Sequence, residues 1–144
     1  MSILSHSTIQ TQEIAQTLAR EVLEGLKPRL ILLDGELGGG KTTFSQGFLK
    51  SLGITQIVNS PTFVIMKPYT IPNSEYTVYH FDLYRLEQEW EALELGINDI
   101  IQNPKSILLI EWANKTPRLW ENIPHIQITF NVISPEERSI TIEF

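Results

Sequence analysis

Gly35, Gly40, Lys41 and Thr42 satisfy the spacing G-x-x-x-x-G-K-[ST], and the stretch that holds them, GELGGGKTT (35–43), joins four glycines to one ammonium and two hydroxyls. These residue types at this spacing suit one chemistry, the gripping of a polyphosphate. Glycines open backbone conformations closed to residues with a Cβ, so that successive N–H groups converge on phosphate oxygens, and a helix that starts at the loop adds its positive end. Lys41 then reaches the β and γ phosphates, while the Thr42 hydroxyl ligates Mg²⁺. The candidate nucleotide-binding residues are Gly35, Glu36, Leu37, Gly38, Gly39, Gly40, Lys41, Thr42 and Thr43. A glycine-rich turn with a chance lysine is the plainer alternative. The context weighs against it, because the loop follows an apolar run, LILLD, and precedes a helix-like segment, the setting the motif requires.

A cation held only by Thr42 and phosphate oxygens wants an acid nearby, and phosphate-loop proteins commonly supply it at the end of an apolar core strand. Glu111 closes the run ILLIE and is therefore the candidate metal ligand beside Thr42 and a candidate catalytic residue beside Lys41; a solvated strand-end glutamate is the alternative. Asp82, at the end of YHFD, is a candidate for holding magnesium through water or for orienting the attacking water, and otherwise a turn former. Thr62 in NSPTF follows a proline that stiffens its loop, as suits a hydroxyl that meets the γ phosphate only when a triphosphate is present. Arg85 is a candidate arginine finger in cis or a surface ion-pair partner. His6, His80 and His125 show no ligand spacing, and His80 reads as a packed or hydrogen-bonded strand residue. Trp112 stands next to Glu111 and is the natural reporter of events there.

The elements that must position these groups are legible in the periodicity. In TQEIAQTLAREVLEGLKP, Ile14, Leu18 and Val22 recur every four residues, which predicts an amphipathic helix ending at Gly25 and Pro28. RLILLD (29–34) and SILLIEW (106–112) are continuous apolar runs of the kind buried on both faces of a sheet. A helix is expected from Lys41 to Leu52, closed at Gly53. IVNS, TFVIMKPY and YTVYHFDLYRL read as strands, EQEWEALELGINDI as a helix broken at Gly96, and HIQITFNVISPEERSITIEF as a hairpin. No repeat or linker interrupts residues 1–144, which fit one α/β domain.

Bulk properties remove several classes. The absence of cysteine excludes disulfides, thiol catalysis and a cysteine-bound zinc, and no apolar run is long enough to cross a membrane. With no basic flank and apolar stretch at the N-terminus, the expectation is a soluble, cytoplasmic protein. A net charge of −6 with dispersed Lys and Arg argues against autonomous binding to nucleic acid. Guanine recognition would need N-K-x-D, but ANKTP carries Pro117 where the acid belongs, and no D-x-x-G is present, so adenine is preferred and ATP is the expected nucleotide. A small-molecule kinase would close an arginine-bearing lid over the phosphates, and no arginine-rich insertion exists. A nucleotide-dependent interaction module, in which hydrolysis times release from a partner, fits the missing substrate domain better.

Taken together, GELGGGKTTFSQGFLKSLGI, SPTF, YHFDLYRL, LELGIND and LLIEW resemble, in order and spacing, the TsaE family, small ATPases required in bacteria for threonylcarbamoyladenosine modification of tRNA. The family usually has Asp and Ala where this chain has Glu36 and Gly39, positions whose side chains the phosphate grip does not need. The resemblance implies a phosphate-loop α/β fold with a mixed, mainly parallel central sheet and flanking helices. It implies feeble ATP hydrolysis alone and dependence on the TsaD and TsaB proteins, which transfer threonylcarbamoyl to adenosine 37 of tRNAs decoding ANN codons. By the same resemblance Lys41 and Thr42 match the phosphate and magnesium positions, Glu111 the metal-binding glutamate, Asp82 the essential aspartate, and Ser60, Pro61, Thr62 and Phe63 a switch-like segment. Adenine contacts would fall around Thr8 and Glu136.

Overall fold

Two of the apolar runs form the middle of a sheet that has seven strands among the described residues. The computed structural model describes residues 1–36, 38–56 and 65–144. Leu37 and the switch-like Ser60, Pro61, Thr62 and Phe63 lie outside the described residues, as does the expected strand IVNS. Along the chain the described elements are β1 (Ser2–Ser5), α1 (Thr8–Leu23), β2 (Leu30–Gly35), α2 (Lys41–Ser51), β3 (Met66–Thr70) and β4 (Thr77–Asp82). They continue with α3 (Glu89–Glu94), α4 (Ile97–Gln102), β5 (Ser106–Glu111), a 3-10 turn (Ala113–Lys115), α5 (Pro117–Trp120), β6 (Ile126–Val132) and β7 (Arg138–Glu143).

The strand order is β1-β7-β6-β2-β5-β4-β3. The four central strands β6, β2, β5 and β4 are parallel, whereas β1–β7, β7–β6 and β4–β3 pair antiparallel at the two flanks. Burial on both faces explains the unbroken apolar runs. In β2 alternate residues enter different cores, Ile31 and Leu33 one, Leu30 and Leu32 the other. The first core is closed by Ala15, Leu18, Ala19 and Val22 of α1 with Phe44, Phe48 and Leu49 of α2. The second is closed by Ala92, Ile97, Ala113 and Trp120. The result is a three-layer α/β/α arrangement.

Several boundaries follow from local chemistry. Ser7 caps α1, its hydroxyl accepting from the Gln10 N–H at 3.1 Å. That helix ends at Leu23, two residues before the expected Gly25. The expected break at Gly96 is present: the residue has φ +77° and separates α3 from α4. β1 was not expected from sequence. Its four residues gain their conformation from β7, with Ile3 opposite Ile140, a pairing made between the two ends of the chain. No helix among the described residues is long and apolar enough to cross a membrane.

The packing of α1 on α2 depends on Gly47. A Cβ there would stand 2.7 Å from the Gln12 Cα and 2.9 Å from its carbonyl oxygen, backbone atoms that cannot rotate away. Helix propensity alone would favour Gly47→Ala by about 1 kcal/mol. Steric overpacking is expected to prevail and destabilise the fold by ~1–3 kcal/mol in urea unfolding; a variant as stable as the parent would show that the helices are not held this closely.

Candidate functional site

Three parallel strands end side by side where α2 begins. Leu33 of β2 is the register partner of Glu111 of β5, and Glu111 is the partner of Asp82 of β4. Gly35 closes β2 and the chain then turns into the glycine loop. A Cβ at Gly35 would lie 2.7 Å from the carbonyl oxygen of Phe130 on β6, so that strand can approach only a glycine. At the other end of the loop Gly40 has φ +108°, in the region that disfavours side chains, and it is the N-cap residue of α2 without any side-chain cap. The first N–H groups of α2 therefore have no capping side chain competing for them.

Lys41, the first residue of α2, is buried. Its Nζ donates to the carbonyl oxygens of Gly35 and, at 3.3 Å, Glu36, and lies 4.1 Å from the centroid of the Trp112 ring. Burial pushes the Lys41 ammonium below its ordinary pKa, and the carboxylates of Glu111, Asp82 and Asp34 oppose that shift. Trp112 reaches this position through a left-handed backbone, φ +60°, that turns the chain out of β5. Its ring also meets Tyr84, with centroids 5.0 Å apart.

The carboxylates are tethered. Asp82 Oδ1 accepts from the Tyr84 N–H at 3.0 Å, which fixes the turn after β4. Glu111 is 2% exposed and its Oε2 is paired with His80 Nε2 at 2.6 Å. Both acids border a cleft of about 730 Å³ together with Gly38, Gly40, Lys41, Thr42 and Thr43. That volume is within the ~300–1,000 Å³ of small-molecule sites. Thr8 and Glu136 border the same cleft, with His6, Ser7, Thr11, Pro135 and Arg138. Arg85 is exposed and does not border it; Gly35 and Glu36 take part through the carbonyls that accept from Lys41.

Sequence reasoning missed Arg138. Its Nη2 donates to the Gly38 carbonyl at 3.1 Å while its Nη1 holds the Ser134 carbonyl at 2.8 Å, tying the β6–β7 turn to the glycine loop. Nothing local announces this, since an arginine opening a strand gives no sign of a partner 100 residues away. Among the residues bordering the cleft, the Thr42 hydroxyl and the carboxylates of Asp82 and Glu111 are hard oxygen donors of the kind that suit magnesium. Among the described residues no group of three acids or histidines could hold a metal by itself. A magnesium ion here would complete its shell from phosphate and water, as that ion ordinarily does.

A buried-strand, glycine-loop and helix unit in a mixed sheet, with two strand-end acids facing the loop, defines a phosphate-loop α/β protein. Comparison with known proteins narrows the class. The family model described as threonylcarbamoyl adenosine biosynthesis protein TsaE matches residues 5–140, and the chain belongs to the TsaE family. The tRNA threonylcarbamoyladenosine biosynthesis protein TsaE of Bacillus subtilis is 38% identical over 144 residues, covering 98% of this chain and 85% of that protein. Its counterpart in Rickettsia bellii is 33% identical over 149 residues and the full length of both. The crystal structure of Bacillus subtilis YdiB superimposes with a TM-score of 0.74 at 31% identity, covering 99% of this chain and 83% of that one.

The Arg138 contact has a direct consequence for the loop. In Arg138→Ala the amide hydrogens of Gly38 to Lys41 are expected to exchange with solvent several-fold faster while those of β2 and β5 keep their protection. Unchanged exchange in the loop would show that the β6–β7 turn does not restrain it.

Proposed function

We propose that the chain binds MgATP in this cleft, hydrolyses it slowly, and uses hydrolysis to reset a TsaD–TsaB complex between cycles of tRNA threonylcarbamoyladenosine synthesis. The observation that supports this reading best is the convergence of Lys41, Thr42, Asp82 and Glu111 on one cleft, at the start of a helix and the ends of two parallel strands. The backbone N–H groups of residues 38–43 take the phosphate oxygens, and Lys41 exchanges its carbonyl acceptors for the β and γ phosphates. Thr42 and Glu111 hold magnesium, which when bound offsets charge on the phosphate oxygens. Asp82, fixed through Tyr84, orients the attacking water. The part of the cleft bordered by Thr8 and Glu136 takes the adenine.

The SPTF segment and Arg85 serve as switch-like elements that respond to the γ phosphate. The threonylcarbamoyl group itself is transferred by the partners, so tRNA is reached through the complex. The relatives' names support a place in this modification system.

Lys41→Ala is expected to weaken ATP binding by at least about tenfold in calorimetry, equivalent to ~1.4 kcal/mol or more; wild-type affinity would contradict the assignment. ADP formation by the purified chain should be slow alone and rise when TsaB, TsaD and tRNA are added. Equal rates with and without them would remove the partner-gated reading.

A further inference from the structure

We propose that His80 is the positioning residue for Glu111, fixing one carboxylate oxygen so that the other is presented to the cation of the bound nucleotide. The inference rests on the reading of Glu111 as a magnesium ligand and adds a residue that the phosphate-loop motif does not contain.

The geometry comes from strand register. His80 and Asp82 lie two residues apart on β4 and so share a face, and Asp82 is opposite Glu111 on β5. A diagonal step across the pair brings His80 Nε2 to 2.6 Å from Glu111 Oε2. Both side chains are withdrawn from solvent, at 0% and 3% exposure. The other ring nitrogen, Nδ1, is buried with no hydrogen-bond partner among the described residues. A proton on Nδ1 would have no acceptor, so the pair is satisfied with the proton on Nε2, donated to the carboxylate.

A buried glutamate carboxylate that had no donor would be costly, and one with a flexible donor would be free to rotate. An imidazole held rigidly in the sheet does neither. It commits Oε2 and leaves Oε1 as the oxygen available where Glu111 borders the cleft. Asp82 accepts from a different donor, the Tyr84 N–H. Partners of metal-ligating carboxylates act in this way in other sites, and their loss typically lowers metal affinity by about 10–100-fold.

The test is a magnesium titration of ATP binding by calorimetry on the full chain, with thermal unfolding measured separately without nucleotide or metal. His80→Phe keeps a planar ring and removes the donor; His80→Gln can place an amide N–H near the Nε2 position. The magnesium midpoint is expected to rise about 10–100-fold in His80→Phe and to return to within a few-fold of the parent in His80→Gln. Lowered thermal stability in both variants with unchanged midpoints would assign His80 to the fold alone and overturn the proposal. Should His80→Phe fail to fold, His80→Asn replaces it, because its shorter amide falls short of Glu111; equal midpoints for the Asn and Gln variants would then overturn the proposal. Glu111→Gln separates the two levels. A raised midpoint there with unmoved His80 variants rejects only the positioning role, whereas an unmoved midpoint in Glu111→Gln rejects the metal-ligand reading and the proposal with it.

Discussion

The parallel register of β2, β5 and β4 is the constraint from which the site follows. It makes Leu33, Glu111 and Asp82 neighbours at one edge of the sheet, two residues short of the glycine that starts the loop in β2 and at the last positions of β5 and β4. Because the strands run the same way, their C-terminal ends open together onto the start of α2, where ligands of open α/β sheets collect. A slip of one residue in β5 would turn Glu111 to the opposite face and bring an apolar side chain into the cleft. The two apolar cores prevent that slip, since the same shift would exchange Ile107 and Leu109 with Leu108 and Ile110 between layers.

Holding charge at that edge is unfavourable without partners, and the structure supplies them locally. The Lys41 ammonium is buried beneath the loop, where carbonyl acceptors, the Trp112 ring and the fields of three carboxylates offset part of its desolvation. Glu111 is matched by His80, and Asp34 accepts from Gln127 Nε2 at 2.7 Å and the Asn114 N–H at 3.3 Å. The polar network is thus built almost entirely from strand ends and the turns that follow them.

Much of this arrangement is written in short-range sequence. The glycine loop, Lys41 and Thr42 are contiguous, so their relation to one another is set by spacing, and the both-face burial of β2 and β5 shows in their unbroken apolar runs. The helix break at Gly96 and the terminal hairpin are likewise carried by local signals. What escaped sequence reading depends on distant pairing. β1 is a four-residue strand with no partner near it in sequence, the Arg138 contact spans 100 residues, and the short α5 after Trp112 forms where Pro117 starts a single turn. His80 reads from sequence as a packed strand residue; only the β4–β5 register reveals which acid it meets.

The central claim is that main-chain N–H groups of the loop and the first turn of α2 enclose a nucleotide triphosphate. Amide chemical-shift mapping of the labelled chain during titration with ATP and Mg²⁺ tests it most directly. The account predicts saturable shifts that are largest for Gly38 to Thr43, accompanied by the Trp112 indole N–H. Saturation with the largest shifts elsewhere, or no saturable shift at all, would contradict it.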